Sequence, residues 1–322
     1  MAQLPKPLSD KSIQKMLSGW KPATVDKLHS YYASFANLYG CLTLGEAWQI
    51  YKKYDKGIKK KEFYDFSSIA RRENLPYYIL EIDEVYSDEK RDIEERIIVH
   101  KSLVGEGYNR FFFLVNLENI IYENQIGFFL PDDILQYVDH DGIDENEYWK
   151  EFSDFINGLK TPAGIPLGES HELTRFEKFD VDYYKAEYKK KKVLDDAEKR
   201  PIGARLLEVY KRSFHMGWQN PKSVFMDMEE NDIELTEFDK KRIESLYVKI
   251  FNTSKVWCYR GLNPSRLVNV HPSSDGVELS VGPDVIKALQ RTDLNADEKE
   301  QVEMLKALLK EAGISFDGLD DM

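Results

Sequence analysis

The sequence predicts a mainly α protein of the α+β class. Its N-terminal part reads as a winged-helix-like unit of three helices plus a β-hairpin, with a helical extension, followed by a C-terminal all-helical domain. Three observations carry this reading. Apolar residues recur at helical spacing from residue 22 to about 72, with capping residues between the runs. The pattern then switches to two β-branched and aromatic stretches around an acidic turn, YYILEIDEVY (77–86) and RIIVHKSLV (96–104). Beyond residue 170 it is almost wholly helical again.

Each element has a local reason. Residues 1–20 form an arm with one short helix, which Ser9 can cap and which carries Ile13, Met16 and Leu17 on one face. Pro22 suits a first helical position, and Val25, Leu28, Tyr32, Phe35 and Leu38 follow at helical spacing until Gly40. Thr43 and Glu46 make a T-x-x-E capping box that opens a second helix through Tyr54. Asp55-Lys56-Gly57 is a turn, and a third helix runs through Phe63, Phe66, Ile69 and Ala70. Three helices and a hairpin in this order make a winged helix, with the second and third as the helix-turn-helix.

Farther on, helical patterns are expected at 105–127, 131–138 and 146–160, separated by the short extended piece GFFLP and the acidic loop DHDGIDEN. The glycines and prolines of GLKTPAGIPLGES mark 158–170 as a linker. The expected domains are therefore an arm at 1–20, the winged-helix-like domain with its extension at 21–157, and a helical domain at 171–268. A loop and C-terminal helices follow at 269–322. Helices are expected near 172–198, 202–216, 221–231, 236–254, 284–291 and 295–312, with a loop-like stretch at 268–283 holding a short strand at Val277–Val281.

Composition narrows the function classes. The 322 residues are 42% hydrophobic and 13% aromatic, too rich in aromatics for a disordered chain. No apolar run approaches the ~18–20 residues that span a bilayer, and no apolar leader opens the chain, so a soluble cytoplasmic protein without a membrane partner is expected. The net charge of −12 argues against non-specific wrapping of nucleic acid. Charge is nevertheless segregated. Residues 79–96 and 131–151 are acid-rich, while KKYDKGIKKK (52–61) is lysine-rich. The two cysteines, Cys41 and Cys258, exclude a disulfide framework and a Cys-rich zinc site, and read as buried thiols in a reducing compartment.

No catalytic, cofactor or metal site is legible. Nucleophile-elbow, Walker A and dinucleotide fingerprints do not occur, and no histidine pair has H-x-x-x-H spacing. Registering the loop Gly142 on an EF-hand glycine puts Asp139 and Asp141 at ligand positions but tyrosines at positions 1 and 12, so calcium is not expected. The nearest match to an acid followed by E-x-K is Asp180 or Asp182 with Glu187 and Lys189, in a helical rather than a strand pattern. Two candidate interaction surfaces remain. One is basic: Lys52, Lys53, Lys56, Lys59, Lys60 and Lys61 at the turn into the third helix, with Arg71 and Arg72 at its far end, placed to contact DNA phosphates in a helix-turn-helix. The other is acidic and would dock a protein: Glu81, Asp83 and Glu84, and Asp139, Asp141, Asp144 and Glu145.

The phrase FNTSKVWCYRGLNPSRL (251–267) resembles an N-N-T-R-x-W-x-x-x-G-x-T-P-x-E-L phrase of a group of bacterial proteins that often end in a SEC-C motif, the SecA C-terminal-like zinc knuckle. The matching positions are Asn252, Thr253, Trp257, Gly261, Pro264 and Leu267. YASFANLYGCLTLGEAWQIY and FFLPDDILQYVD resemble helical segments of the same group. No cysteine follows Cys258, so the zinc knuckle and any zinc-dependent partner binding are not implied here. The resemblance implies a bacterial source and carries over no catalytic residue. In physical terms Trp257 is expected to anchor a core, and Gly261 to take a positive φ. The expected function is a non-enzymatic interaction or regulatory protein of the bacterial cytoplasm. The alternatives are a winged-helix DNA-binding regulator using Lys52–Lys61, and an acidic inhibitor of a nucleic-acid-binding protein.

Overall fold

The structure, a computed structural model, describes residues 4–86, 92–105, 109–124, 126–184, 186–217, 220–266, 268–273, 276–289, 302–303 and 306. The chain divides into two compact units, Met1–Asp144 with Lys255–Leu262, and Glu145–Ser254 with Asn263–Met322.

In the first unit the local signals act as their chemistry dictates. Helix α1 (Asp10–Leu17) follows Ser9, whose hydroxyl contacts Ser12 Oγ at 3.0 Å and makes no side-chain cap. Helix α2 (Pro22–Tyr39) starts on Pro22, whose fixed φ suits a first turn, and ends at Gly40 with φ +73°. Strand β1 (Cys41–Thr43) leads into helix α3 (Leu44–Tyr54) through the Thr43–Glu46 capping box. Helix α4 (Lys60–Ala70), strand β2 (Tyr77–Leu80), helix α5 (Ile82–Tyr86) and strand β3 (Ile97–His100) follow. Helix α6 (Phe112–Asn124) follows, with 3₁₀ turns at Ile93–Glu95, Leu135–Tyr137 and Trp257–Tyr259 in the same unit.

The sheet is antiparallel with order β1-β3-β2, pairing Leu42 and Ile79 to Ile98. The three expected helices and the hairpin are present, but a third strand, β1, joins them. Two strands are shorter than expected. The stretch 77–86 leaves the sheet after Leu80 and becomes α5, and 96–104 leaves it after His100 into a 3₁₀ turn at Lys101–Leu103. The helix expected at 131–138 is only the 3₁₀ turn.

The core of this unit is aromatic and centred on α2. Leu28, Tyr32, Phe35, Leu38 and Tyr39 are fully buried against Phe63 and Phe66 of α4 and against Ile79 and Ile98 of the sheet. Tyr32 packs edge-on to Phe63, with ring centroids 5.0 Å apart, and its hydroxyl donates to the Phe63 carbonyl at 2.5 Å. A buried phenol needs such a partner to offset its desolvation.

The second unit holds helices α7 (Glu147–Gly158), α8 (Arg175–Tyr183), α9 (Glu187–Lys199), α10 (Ile202–Met216), α11 (Pro221–Glu230) and α12 (Glu237–Thr253). Its core joins Phe152 and Ile156 of α7, Phe214 of α10, and Leu246 and Tyr247 of α12, with the Phe214 and Tyr247 rings 4.2 Å apart. The segment 158–170, expected as a linker, lies inside this unit. Leu167 is fully buried, its N–H donates to the Leu159 carbonyl at 2.7 Å, and its carbonyl accepts from Gly203. One continuous helix over 172–198 is replaced by α8, which ends at Tyr183, and α9, which starts at Glu187. An antiparallel hairpin of β4 (Val268–Ser273) and β5 (Gly276–Val281) forms where a loop-like stretch with one short strand at Val277–Val281 was expected. Helix α13 (Pro283–Leu289) follows. The helix expected over 295–312 falls almost wholly outside the described residues. Among the described residues, no helix is long and apolar enough to cross a membrane.

Candidate functional site

The lysines of 52–61 sit where α3 ends, through the turn, and into the first residues of α4. Glu62 at the third position of α4 accepts the Lys59 N–H at 2.9 Å and fixes where α4 starts. All six lysines are exposed, but they fall into two groups. Lys60 pairs with Glu94 at 2.7 Å and Lys61 with Asp65 at 2.5 Å. Lys52, Lys53, Lys56 and Lys59 have no carboxylate partner among the described residues. The turn itself is pinned by Asp55, which accepts from Lys27 Nζ and from the Gly57 N–H, each at 2.5 Å. These bonds hold the Asp55 carboxyl below its usual range.

At the far end of α4 the structure brings together residues that the sequence assigned to opposite surfaces. Arg71 Nη2 donates to both Glu84 carboxylate oxygens at 2.7 Å, and Arg71 Nε reaches the Ile79 carbonyl at 3.4 Å. Glu84 Oε2 also accepts the Glu81 N–H at 2.7 Å, closing the first turn of α5. Arg96, at the start of β3, donates to Glu81 Oε1 through Nε (2.9 Å) and Nη2 (2.8 Å). Its Nη1 donates to the hydroxyls of Ser67 (2.8 Å) and Ser68 (2.7 Å) on α4. Arg71 and Arg96 are mostly buried. Arg71 therefore directs its guanidinium to Glu84 and Glu81 rather than to solvent, and Glu81 and Glu84 remain partly exposed while paired. Each is neutralised inside the unit, as a charge leaving water requires. Arg72 and Asp83 remain half-exposed.

The sequence reading missed the role of Arg96. Its only signal is an arginine entering a β-branched run opposite a patch of glutamates. A second, half-buried polar chain was also missed: His29 Nδ1 lies 3.0 Å from the Tyr77 hydroxyl, and His29 Nε2 lies 3.3 Å from Glu73 Oε2. Burial pushes the His29 imidazole down and the Glu73 carboxyl up.

The acidic loop is ordered by its own carboxylates. Asp141 is buried, and its Oδ1 accepts the N–H groups of Ile143 (2.9 Å) and Asp144 (3.2 Å), an Asx turn. Asp144 Oδ2 accepts the Asp141 N–H in return at 3.3 Å. Asp139 is exposed and Asp144 half-exposed on the first unit, while Glu145 is exposed on the second. Among the described residues, no group of three His, Cys, Asp or Glu is placed to hold a metal ion. Asp180, Asp182, Glu187 and Lys189 all lie on helices.

In the 251–267 phrase, Trp257 is buried and Cys258 beside it is buried too; burial pushes the Cys258 thiol up to about 12. The Cys41 thiol is buried and raised in the same way. Gly261 has φ +79°, and a Cβ there would stand 3.0 Å from Leu38 Cδ1. Arg260 pairs with Glu46 at 3.0 Å and lies over the Phe128 ring at 4.1 Å. Asn252 closes α12 and Pro264 opens a 3₁₀ turn, both in the second unit. Leu267 lies outside the described residues. Comparison of the chain with family models, with curated proteins and with solved structures gives no match.

Proposed function

We propose that this chain is a non-enzymatic interaction or regulatory protein of the bacterial cytoplasm, and that residues 22–100 form a winged-helix-like module that docks on another protein. The helix–strand–helix–helix–strand–strand order, with the short helix α5 between the last two strands, and the β1-β3-β2 sheet support the winged-helix reading. The observation that carries the docking reading is the state of the outer face of α4. Lys60, Lys61 and Ser68 are each engaged by a side chain of this chain, and Glu62 and Asp65 balance the charge of the two lysines on the same helix. A helix that reads bases in the major groove needs free donors and a positive approach.

One observation favours a second reading. Lys52, Lys53, Lys56 and Lys59 form an exposed, unneutralised edge that suits phosphate contact. Fluorescence anisotropy with a labelled random-sequence duplex, taken from low to physiological salt, separates the two. Docking on protein expects no complex at physiological salt and no change on Lys52→Glu/Lys56→Glu/Lys59→Glu. Nuclease-treated affinity capture should then return one stoichiometric protein. A complex whose log K falls by several units per unit of log[salt] and that the triple reversal abolishes overturns the docking reading in favour of DNA.

A further inference from the structure

The α8–α9 hairpin carries an apolar face that nothing among the described residues covers. Helix α8 buries no residue, and α9 buries only Ala197. Phe176, Phe179, Tyr183 and Tyr188 are 60–72% exposed. The first three follow an i, i+3, i+7 spacing, which puts them on one side of α8, and Phe179 stacks on Tyr183 at 5.7 Å. Helices of this length are marginal when isolated, and polar bonds at the base hold this pair in place. The buried Arg205 donates to Glu177 Oε1 at 2.8 Å and to the Ala197 and Arg200 carbonyls, while His171 Nδ1 meets the Ala197 carbonyl at 2.9 Å. The hairpin is thus anchored without using its aromatic face. An exposed patch of this kind marks an interaction surface.

The same unit offers a seat for it. Phe225, Ile233 and Leu235 line an open cleft of about 580 Å³, and Glu229, Asp232 and Glu234 give it an acidic rim. Lys240 at its edge is engaged by Glu237 at 2.9 Å. No residue of the aromatic stripe lines this cleft, so the stripe does not fill the cleft of its own copy. Beside Tyr188, the lysine run carries the opposite charge, with Lys191 fully outward and Lys189 over the Tyr184 ring at 5.1 Å.

We propose that the protein forms a two-fold dimer in which the α8–α9 hairpin of each copy seats in the Phe225–Leu235 cleft of the other. The aromatic stripe fills the apolar floor, and Lys189 and Lys191 meet Glu229 and Glu234. Each copy supplies one hairpin and one cleft, and a two-fold axis between the copies makes the exchange reciprocal, whereas a relation that does not close would give an open-ended assembly. Aromatic side chains bring about 150–250 Å² apiece. With about two thirds of each ring exposed, two hairpins covered by two clefts remove on the order of 1,300 Å² from water, at the low end of specific interfaces.

Sedimentation velocity on the full chain, from low micromolar to near-millimolar concentration, tests this. The expected result is a monomer–dimer equilibrium that Phe179→Ser/Tyr183→Ser weakens by about tenfold or more. Lys189→Glu/Lys191→Glu and Glu229→Lys/Glu234→Lys should each weaken it, and the two charge changes combined should restore it. Circular dichroism confirms that the variants keep the fold. A wild-type monomer throughout, open-ended assembly, a dimer indifferent to these changes, or a charge swap that fails to restore association overturns the proposal. All the altered residues lie in the second unit, so failure here is separable from failure of the docking reading for residues 22–100.

Discussion

The indole Nε1–H of Trp257 donates to the main-chain carbonyl of Asn37 at 2.8 Å, joining residues 220 positions apart. The contact falls in the last turn of α2, the one place where a helix leaves carbonyls without an internal partner. Gly40 makes it possible: a Cβ there would stand 2.6 Å from the indole ring. The His100 ring closes the other side at 4.8 Å.

Truncating Trp257 should therefore destabilise the first unit more than any surface change. Trp257→Ala is expected to cost about 3–5 kcal/mol, from lost burial and the cavity left behind. Trp257→Phe keeps much of the packing but strands the Asn37 carbonyl, at about 1–3 kcal/mol. Gly40→Ala combines a strained φ with a clash and should cost about 2 kcal/mol or more. Urea denaturation followed by circular dichroism measures all three. A loss below about 1 kcal/mol for Trp257→Ala would show that the indole is not an anchor.

Arg96 is expected to matter out of proportion to its position at a strand end. Arg96→Met leaves Glu81 with only the 3.8 Å contact to Arg71 and takes a donor from Ser67 and Ser68. The expected loss is about 2–4 kcal/mol, because the remaining carboxylate stays partly buried. Arg96→Lys should recover less than half of it, since an ammonium cannot fork to three acceptors in the guanidinium plane. A double-mutant cycle with Glu81→Gln should give a coupling above about 1 kcal/mol; additivity would refute the pairing.

Asp227 gives the second unit a pH dependence of definite sign. Burial, and then the neighbouring Glu230, push its carboxyl from 3.8 up to about 6. The folded unit therefore holds this proton more tightly than the unfolded chain does. The stability it contributes is complete below about pH 4 and is lost as the pH rises through about 6. Asp227→Asn should flatten thermal stability across that window and raise Tm at about pH 7 by a few degrees. A mutant that keeps the wild-type slope between pH 4 and 6 places the titration elsewhere.

The legible parts of the fold are those set by local chemistry. The Thr43–Glu46 box, Pro22 at the start of α2 and the positive φ of Gly261 are short-range demands that neighbouring residues announce. What was not legible is set by distant partners. Strand β1 has three residues and exists because Ile97–Val99 pairs with it. YYILEIDEVY alternates as a strand should, yet its second half turns helical where Glu84 caps Glu81 and binds Arg71. The same long-range pairing explains why a basic residue and the acids expected on another surface turn out to be one internal network. The aromatic face of α8 was hidden in a segment whose charges dominate its composition, so the pattern announced a helix but not its exposed aromatic side.

The return of Lys255–Leu262 to the first unit sets an order of events during synthesis. At about 5–20 residues per second, the roughly 110 residues that separate Asp144 from Lys255 take about 5–20 s to emerge. Until they do, the groove beside Gly40 has no indole in it, and the nascent first unit exposes an unfinished aromatic core. The N-terminal unit is thus begun first but sealed only after residues 145–254 of the second unit have emerged, and a chain stopped at Ser254 would hold a permanent opening at that groove.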